Sequence, residues 1–189
     1  MTTTERPMRA DARRNQEKLI DVARAAFGEM GVDAPMDEIA RRAGVGPGTL
    51  YRHFPTKDAL LAAVYRRDVE SMARRAEELS AELPPLEALQ AWMSEQLGFM
   101  SFKIGLGAAI KAMLGRDSET MQFCRATMNG AIDNLLEAAQ KDGAIRTDVN
   151  ATTVLRMLHG IGVASESDPS LSKGMLTLLL DGLRATPAA

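Results

Sequence analysis

Pro35–Leu61 reads PMDEIARRAGVGPGTLYRHFPTKDALL, and its punctuation decides the fold. Ile39 and Ala40 sit on one face of a short helix and give it an apolar anchor beside a small, close-packing residue. Gly44 offers the positive φ that a turn after such a helix needs. Val45 plugs the angle between helices, and Pro47 opens the next one, where its missing N–H would be unpaired anyway. In that short second helix Gly46, Gly48 and Thr49 let backbone approach another surface, while Leu50 and Phe54, four apart, point back into the domain. Thr56 ahead of Lys57-Asp58 is an N-cap with an acid in the first turn, so a third helix starts there. A helix, a glycine turn and a second helix form the layout that places the second helix in a DNA major groove. Sequence-specific DNA binding is therefore the leading expectation.

Outward from this stretch, nearly everything reads as helix. The pattern predicts a first helix from Ala12 to Met30 with a core stripe of Leu19, Ile20, Ala23, Phe27 and Met30, ended by Gly31. Residues 1–9 read as a flexible polar arm. Arg6 and Arg9 there either reach phosphates and a minor groove or merely solubilise the tail. A long helix is expected from Lys57 to Glu82, its early part (Leu60, Leu61, Val64) in one domain and its late part (Met72, Ala76, Leu79) in the next. Pro84-Pro85 ends it, and a helix from Leu86 carries the stripes Leu89-Met93-Leu97-Met100-Ile104 and Trp92-Phe99-Phe102. Gly105 and Gly107 break that helix, and a short one runs on to Gly115. Further helices are expected over Ser118–Asp142, Ala151–Ala164 and from Asp168-Pro169 to Arg184. The fold class is all-α, with about nine helices: a three-helix domain over residues 10–56, its motif at about 35–54, and a helical bundle over 57–189.

These residues resemble the tetracycline-repressor (TetR) family of bacterial transcription regulators. The resemblance rests on Ile20, Ala23, Phe27 and Gly31, then Ile39-Ala40, Ala43-Gly44-Val45, Gly48-Thr49-Leu50-Tyr51, His53-Phe54 and Lys57, and covers about the first 65 residues. It implies phosphate contacts at Tyr51, His53 and Lys57, a frequent base contact at Tyr51, and base reading at the start of the second motif helix. The DNA-contact set is then Pro35, Arg42, Gly46, Pro47, Gly48, Thr49, Tyr51, Arg52, His53 and Lys57. Pro47 stands where many relatives carry a polar or basic side chain, which shifts readout toward Thr49, Tyr51, Arg52 and DNA shape. Arg41 and Arg42 fit either a DNA-facing helix or an ordinary solvated one.

Composition agrees with a small cytoplasmic regulator. The chain has 189 residues, 46% hydrophobic and 25% charged, with a formal net charge of −2, ordinary values for a globular protein. Residues 1–75 hold 14 basic against 11 acidic side chains and residues 76–189 hold 9 against 14, so the positive end carries the motif. One cysteine, Cys124, excludes an internal disulfide and fits a reducing compartment. The first residues lack the apolar segment of a signal peptide, and no run approaches the about 18 apolar residues of a membrane span.

The last two expected helices are apolar over too much of their circumference for one wet face. Val154, Leu155, Leu158 and Ile161 of the first, with Leu176, Leu180 and Leu183 of the second, are the candidate dimer interface, half of an isologous four-helix contact. The other option is a fully buried helix in a monomeric bundle. The resemblance implies the dimer, a palindromic double-stranded operator, and a small effector whose binding spreads the recognition helices, most often of a repressor.

Eight of the 12 methionines follow residue 71, and thioethers among aromatics suit either a solid core or a pocket for an apolar or amphipathic effector. The candidate lining is Trp92, Gln96, Phe99, Met100, Met113, Phe123, Cys124, Met128 and His159, with His159 read as a hydrogen-bonded core residue in preference to a ligand contact. A regulator with a packed core, governed by a protein partner or by expression level, is the alternative. Enzymatic readings find no footing: the two histidines and one cysteine show no zinc spacing, no serine sits in a nucleophile elbow, and GVGPG and GLGAA lack the context of a nucleotide loop. No cofactor, no metal and no membrane partner is expected.

Overall fold

The computed structural model describes residues 5–101, 110, 112, 113, 115 and 118–185; for residues 5–13, 100 and 101 it describes backbone only. Its helices are α1 (Glu5–Met30), α2 (Met36–Ala43), α3 (Pro47–His53), α4 (Lys57–Glu82), α5 (Pro85–Ser101), α6 (Glu119–Lys141), α7 (Ala151–Ala164) and α8 (Leu171–Leu183), with a short 3-10 turn at Gly31–Asp33. Among the described residues there is no strand, only one antiparallel bridge between Ile145 and Arg184. The expected break at Gly105 and Gly107 lies outside the described residues.

Local chemistry explains the boundaries. Gly44 closes α2 with φ 70°, and its N–H reaches the carbonyls of Ala40 and Arg41, a left-handed closure that glycine adopts without a Cβ penalty. Thr56 caps α4, its hydroxyl accepting from the Ala59 N–H at 3.1 Å. Ser118 and Asn150 cap α6 and α7 in the same way.

Two expected boundaries differ. α1 begins at Glu5 instead of Ala12, so residues 5–9 are helix and not an arm: Pro7 falls in the first turn, where an N–H is not needed. α8 begins at Leu171, because the Asp168 carboxylate accepts from the Ser170 N–H and hydroxyl at 3.1 and 2.6 Å and holds those residues in a turn.

Two apolar clusters form. The first joins Leu19, Ala23, Phe27, Ile39, Ala40, Leu50, Phe54, Leu60, Leu61 and Val64, and takes in Ile110. The second centres on Trp92, Met93, Ile132, Leu135, Val154 and Leu158, with Met72, Ala76 and Leu79 entering from α4. α4 thus belongs to both, as its sequence suggests. It packs on α1 at one end and on α5 and α6 along the rest, while α5 lies against α6, α7 and α8.

Candidate nucleic-acid interface

Leu50, with no exposed surface, and the buried Phe54 bolt α3 to the first cluster. Residues 47, 48, 51 and 52 then share the outward face of α3. Pro47, Gly48, Tyr51 and Arg52 are exposed there, Tyr51 to 45%; Pro35 and Gly46 are exposed, and Thr49, His53 and Lys57 are half-buried beside them. No acid occurs from Arg41 to Lys57. A protruding, acid-free helix with bare backbone at Gly46 and Gly48 has the shape and charge to enter a groove lined by phosphates.

Arg42 is tied differently from the rest of its set. Its guanidinium donates to Glu29 at 2.6 Å and to Glu38 at 2.8 Å. Arg41 grips Glu38 with two donors, both at 2.7 Å. These hydrogen bonds, first from Arg41 and then from Arg42, hold the Glu38 carboxyl down to about 2 from an ordinary 4.5. Conversely, the carboxylates raise both guanidiniums further. The two arginines are therefore committed to carboxylates in the free protein.

The described residues of the expected effector lining differ in their surroundings. Trp92 is core: it has no exposed surface, and its indole N–H donates to the Met72 carbonyl at 2.9 Å. Cys124 is buried, Phe99 and Met128 are half-buried against the second cluster, and Met113 is exposed. Phe123 lies under the Arg66 guanidinium, 4.1 Å from its ring centroid. His159 is exposed, contrary to the core position expected of it, because α7 turns that side away from the chain's own core. The Met100 side chain lies outside the described residues. Gln96 is 8% exposed, and among the described residues its Oε1 has no hydrogen-bond partner. Two open hollows of about 360 Å³ each lie elsewhere, one by Gln140, Arg146 and Asp148, the other between α4 and α6 by Glu77, Ser80, Thr127 and Asn134.

The C-terminal helices turn the residues of the expected interface toward the chain's own core. Val154, Leu158, Leu176 and Leu183 are buried in the chain's own second cluster, and Leu155, Ile161 and Leu180 are half-buried against it. What faces outward is Met157 and Val163 of α7 with Leu171 and Leu178 of α8, the last 74% exposed. Gly160, Gly174 and Gly182 are exposed with them, and a Cβ added at any of the three would meet nothing within 4 Å. Helices apolar on two sides gave no sequence signal for which side turns inward. Along α8 the exposed positions 171, 174, 178 and 182 recur at spacings of three and four, the helical period that marks its outward side.

Two family models match this chain, that of bacterial regulatory proteins of the tetR family over residues 19–64, and that of the C-terminal domain of SbtR-like transcriptional regulators over residues 84–185. The chain belongs to the TetR family. It is a transcription factor with a helix-turn-helix DNA-binding domain, and not an enzyme. Its structure is similar to that of a TetR transcriptional regulator from Streptomyces coelicolor, 38% identical, covering 90% of this chain and 99% of that one with a TM-score of 0.77. A TetR regulatory protein from Mycobacterium vanbaalenii is 36% identical, covering 95% and 100%, with a TM-score of 0.75. An HTH-type transcriptional regulator of Staphylococcus aureus USA300 is 42% identical over 64 residues, 33% of this chain and 35% of its own. The chain thus matches about a third of the length of such curated relatives. Among the described residues no helix is long and apolar enough to cross a membrane.

Proposed function

We propose that this TetR-family protein is a homodimeric repressor that reads a palindromic operator with two copies of α3 and is released by a small apolar or amphipathic effector, in the cytoplasm. The observation that carries the reading is the outward face of α3, with Tyr51 and Arg52 exposed and Leu50 and Phe54 anchoring the helix behind them. Pro35, Gly46, Pro47, Gly48, Thr49, Tyr51, Arg52, His53 and Lys57 form the contact surface; Arg42 joins it only when it leaves its carboxylates. The division of labour places DNA contact in residues 10–56 and effector binding and dimerisation in 57–189. Dimerisation uses the glycine-lined face of α7 and α8 and replaces the buried leucines first expected there.

Freeing the paired arginines gives a measurable effect. Glu38→Gln removes the shared carboxylate, and its expected result is a threefold to tenfold gain (order of magnitude) in affinity for unrelated duplex at low salt, with a steeper loss on adding salt. Fluorescence anisotropy against a salt series measures both. An unchanged salt slope would mean that Arg41 and Arg42 lie away from phosphates.

Support for an effector comes from Gln96. A buried acceptor with no partner costs about 1–3 kcal/mol, a cost that a ligand hydroxyl or N–H would relieve. Gln96→Met is expected to raise the thermal midpoint of the free protein by about 2–6 °C and to remove the response to any effector that donates a hydrogen bond. Differential scanning fluorimetry against small apolar and cationic compounds, then operator release with each hit, tests this. The solid packing of Trp92 favours a second reading, a DNA-binding regulator without a small-molecule pocket, controlled by a protein partner or by its own level. Operator release by none of the compounds, with Gln96→Met no more stable than wild type, would select that reading.

A further inference from the structure

The core stripe of α4 runs Leu61, Val64, Asp68, Met72, Ala76 and Leu79 at spacings of three and four, and all six are buried. An acid in such a stripe needs a partner. Asp68, 5% exposed, accepts from Arg24 Nε of α1 at 2.7 Å. It stands where the two apolar clusters part: Leu60, Leu61 and Val64 belong to the first, Met72 and Ala76 to the second, and the clusters share no residue. The neighbouring residues act at the same level. Arg67 donates to the Glu17 carbonyl at 3.0 Å and pairs with Asp21 at 3.1 Å, both on α1. Arg66, a further 100° around the helix, lies over Phe123 of α6 at 4.1 Å. One turn of α4 therefore grips α1 on one side and α6 on the other by directional contacts, at the level between the two apolar clusters, where Val69 is buried beside Asp68.

We infer that Arg24–Asp68, backed by Arg67, sets the angle between the helix-turn-helix domain and the α5–α8 bundle, and so fixes which separation of operator half-sites the dimer accepts. This assignment rests on the two-fold reading proposed above. Asp68 and Arg67 touch no DNA in this role. They are positioning residues whose product is spacing specificity: a directional ion pair resists rotation of α1 about α4, whereas an apolar seam of small contacts slides.

The operator is first obtained by selecting random duplex DNA with the wild-type chain, and duplexes with one base pair inserted or deleted between the half-sites are then compared, together with a single half-site. Each base pair turns one half-site by about 34–36° relative to the other. In wild type the altered spacings are expected to bind about 10- to 100-fold more weakly, the size of one mismatch. Asp68→Asn, which keeps the shape and removes the charge, is expected to shrink that penalty to about threefold, with single half-site binding unchanged; Arg67→Ala, at an exposed contact, is expected to shrink it partway and serves if Asp68→Asn does not fold. Spacing discrimination as sharp as wild type in the folded variants overturns the assignment. So does a uniform loss across all duplexes, the mark of general destabilisation. A selection that returns one isolated half-site defeats the two-fold reading itself, and this assignment with it.

Discussion

Gly174→Trp is expected to yield a folded monomer whose operator affinity has fallen about 100-fold or more, toward the level of its binding to unrelated DNA. Glycine inside a helix costs about 0.5–1 kcal/mol relative to alanine, yet α7 carries an exposed Gly160 and α8 an exposed Gly174 and Gly182. Nothing in the chain itself needs them small, since a Cβ at each would meet open space. Leu171 and Leu178 flank Gly174 on the same side of α8, and Leu178 is the most exposed large apolar residue described. A stripe of bare backbone between apolar side chains suits close approach by the same stripe of a second copy, and a two-fold axis places like against like. An indole at Gly174 blocks that approach without disturbing Leu176 and Leu179, which hold α8 to its own core. Circular dichroism should be unchanged, the solution mass should halve, and the loss of DNA affinity should follow from losing the second half-site. A dimeric Gly174→Trp protein would move the interface elsewhere.

Tyr51→Ala is the second large effect. Tyr51 is 45% exposed and α3 is anchored by Leu50 and Phe54, so stability should shift by no more than about 0.5 kcal/mol, as for other surface substitutions. A specific contact to a base edge is worth about 1–3 kcal/mol, and a two-fold complex loses it twice. Operator affinity is therefore expected to fall about 100-fold, with affinity for unrelated duplex changed far less. Titration of operator and scrambled duplex at one salt concentration measures the difference. Equal, small losses on both duplexes would remove Tyr51 from base recognition.

The helix-turn-helix was legible because its signals are local. Gly44 and Thr56 act within four residues of themselves, and Leu50 and Phe54 mark the inward side of α3 by their spacing of four; each does in the structure what its chemistry requires. The inward and outward sides of the C-terminal helices were not legible: α7 and α8 are apolar on two sides, and only tertiary packing decides that Leu158 and Leu176 turn inward while Met157 and Leu178 turn out. The same limit applied to Trp92, since a large aromatic suits a core and a pocket equally until its N–H is seen to end on Met72. The first helix was read too short because residues 1–9 are polar and carry no apolar stripe, although Pro7 in a first turn removes no hydrogen bond. Arg24 and Asp68 lie 44 residues apart, so no local pattern pairs them. The acid standing in the α4 core stripe was the one visible trace.

Native mass spectrometry of the wild-type chain with its selected duplex tests for a two-fold DNA reader built on α3 and the α7–α8 face. A two-fold reader puts two chains on one duplex containing an inverted repeat, its half-sites centred about one helical turn or a multiple apart. One chain per duplex on a single, non-repeated site would contradict it.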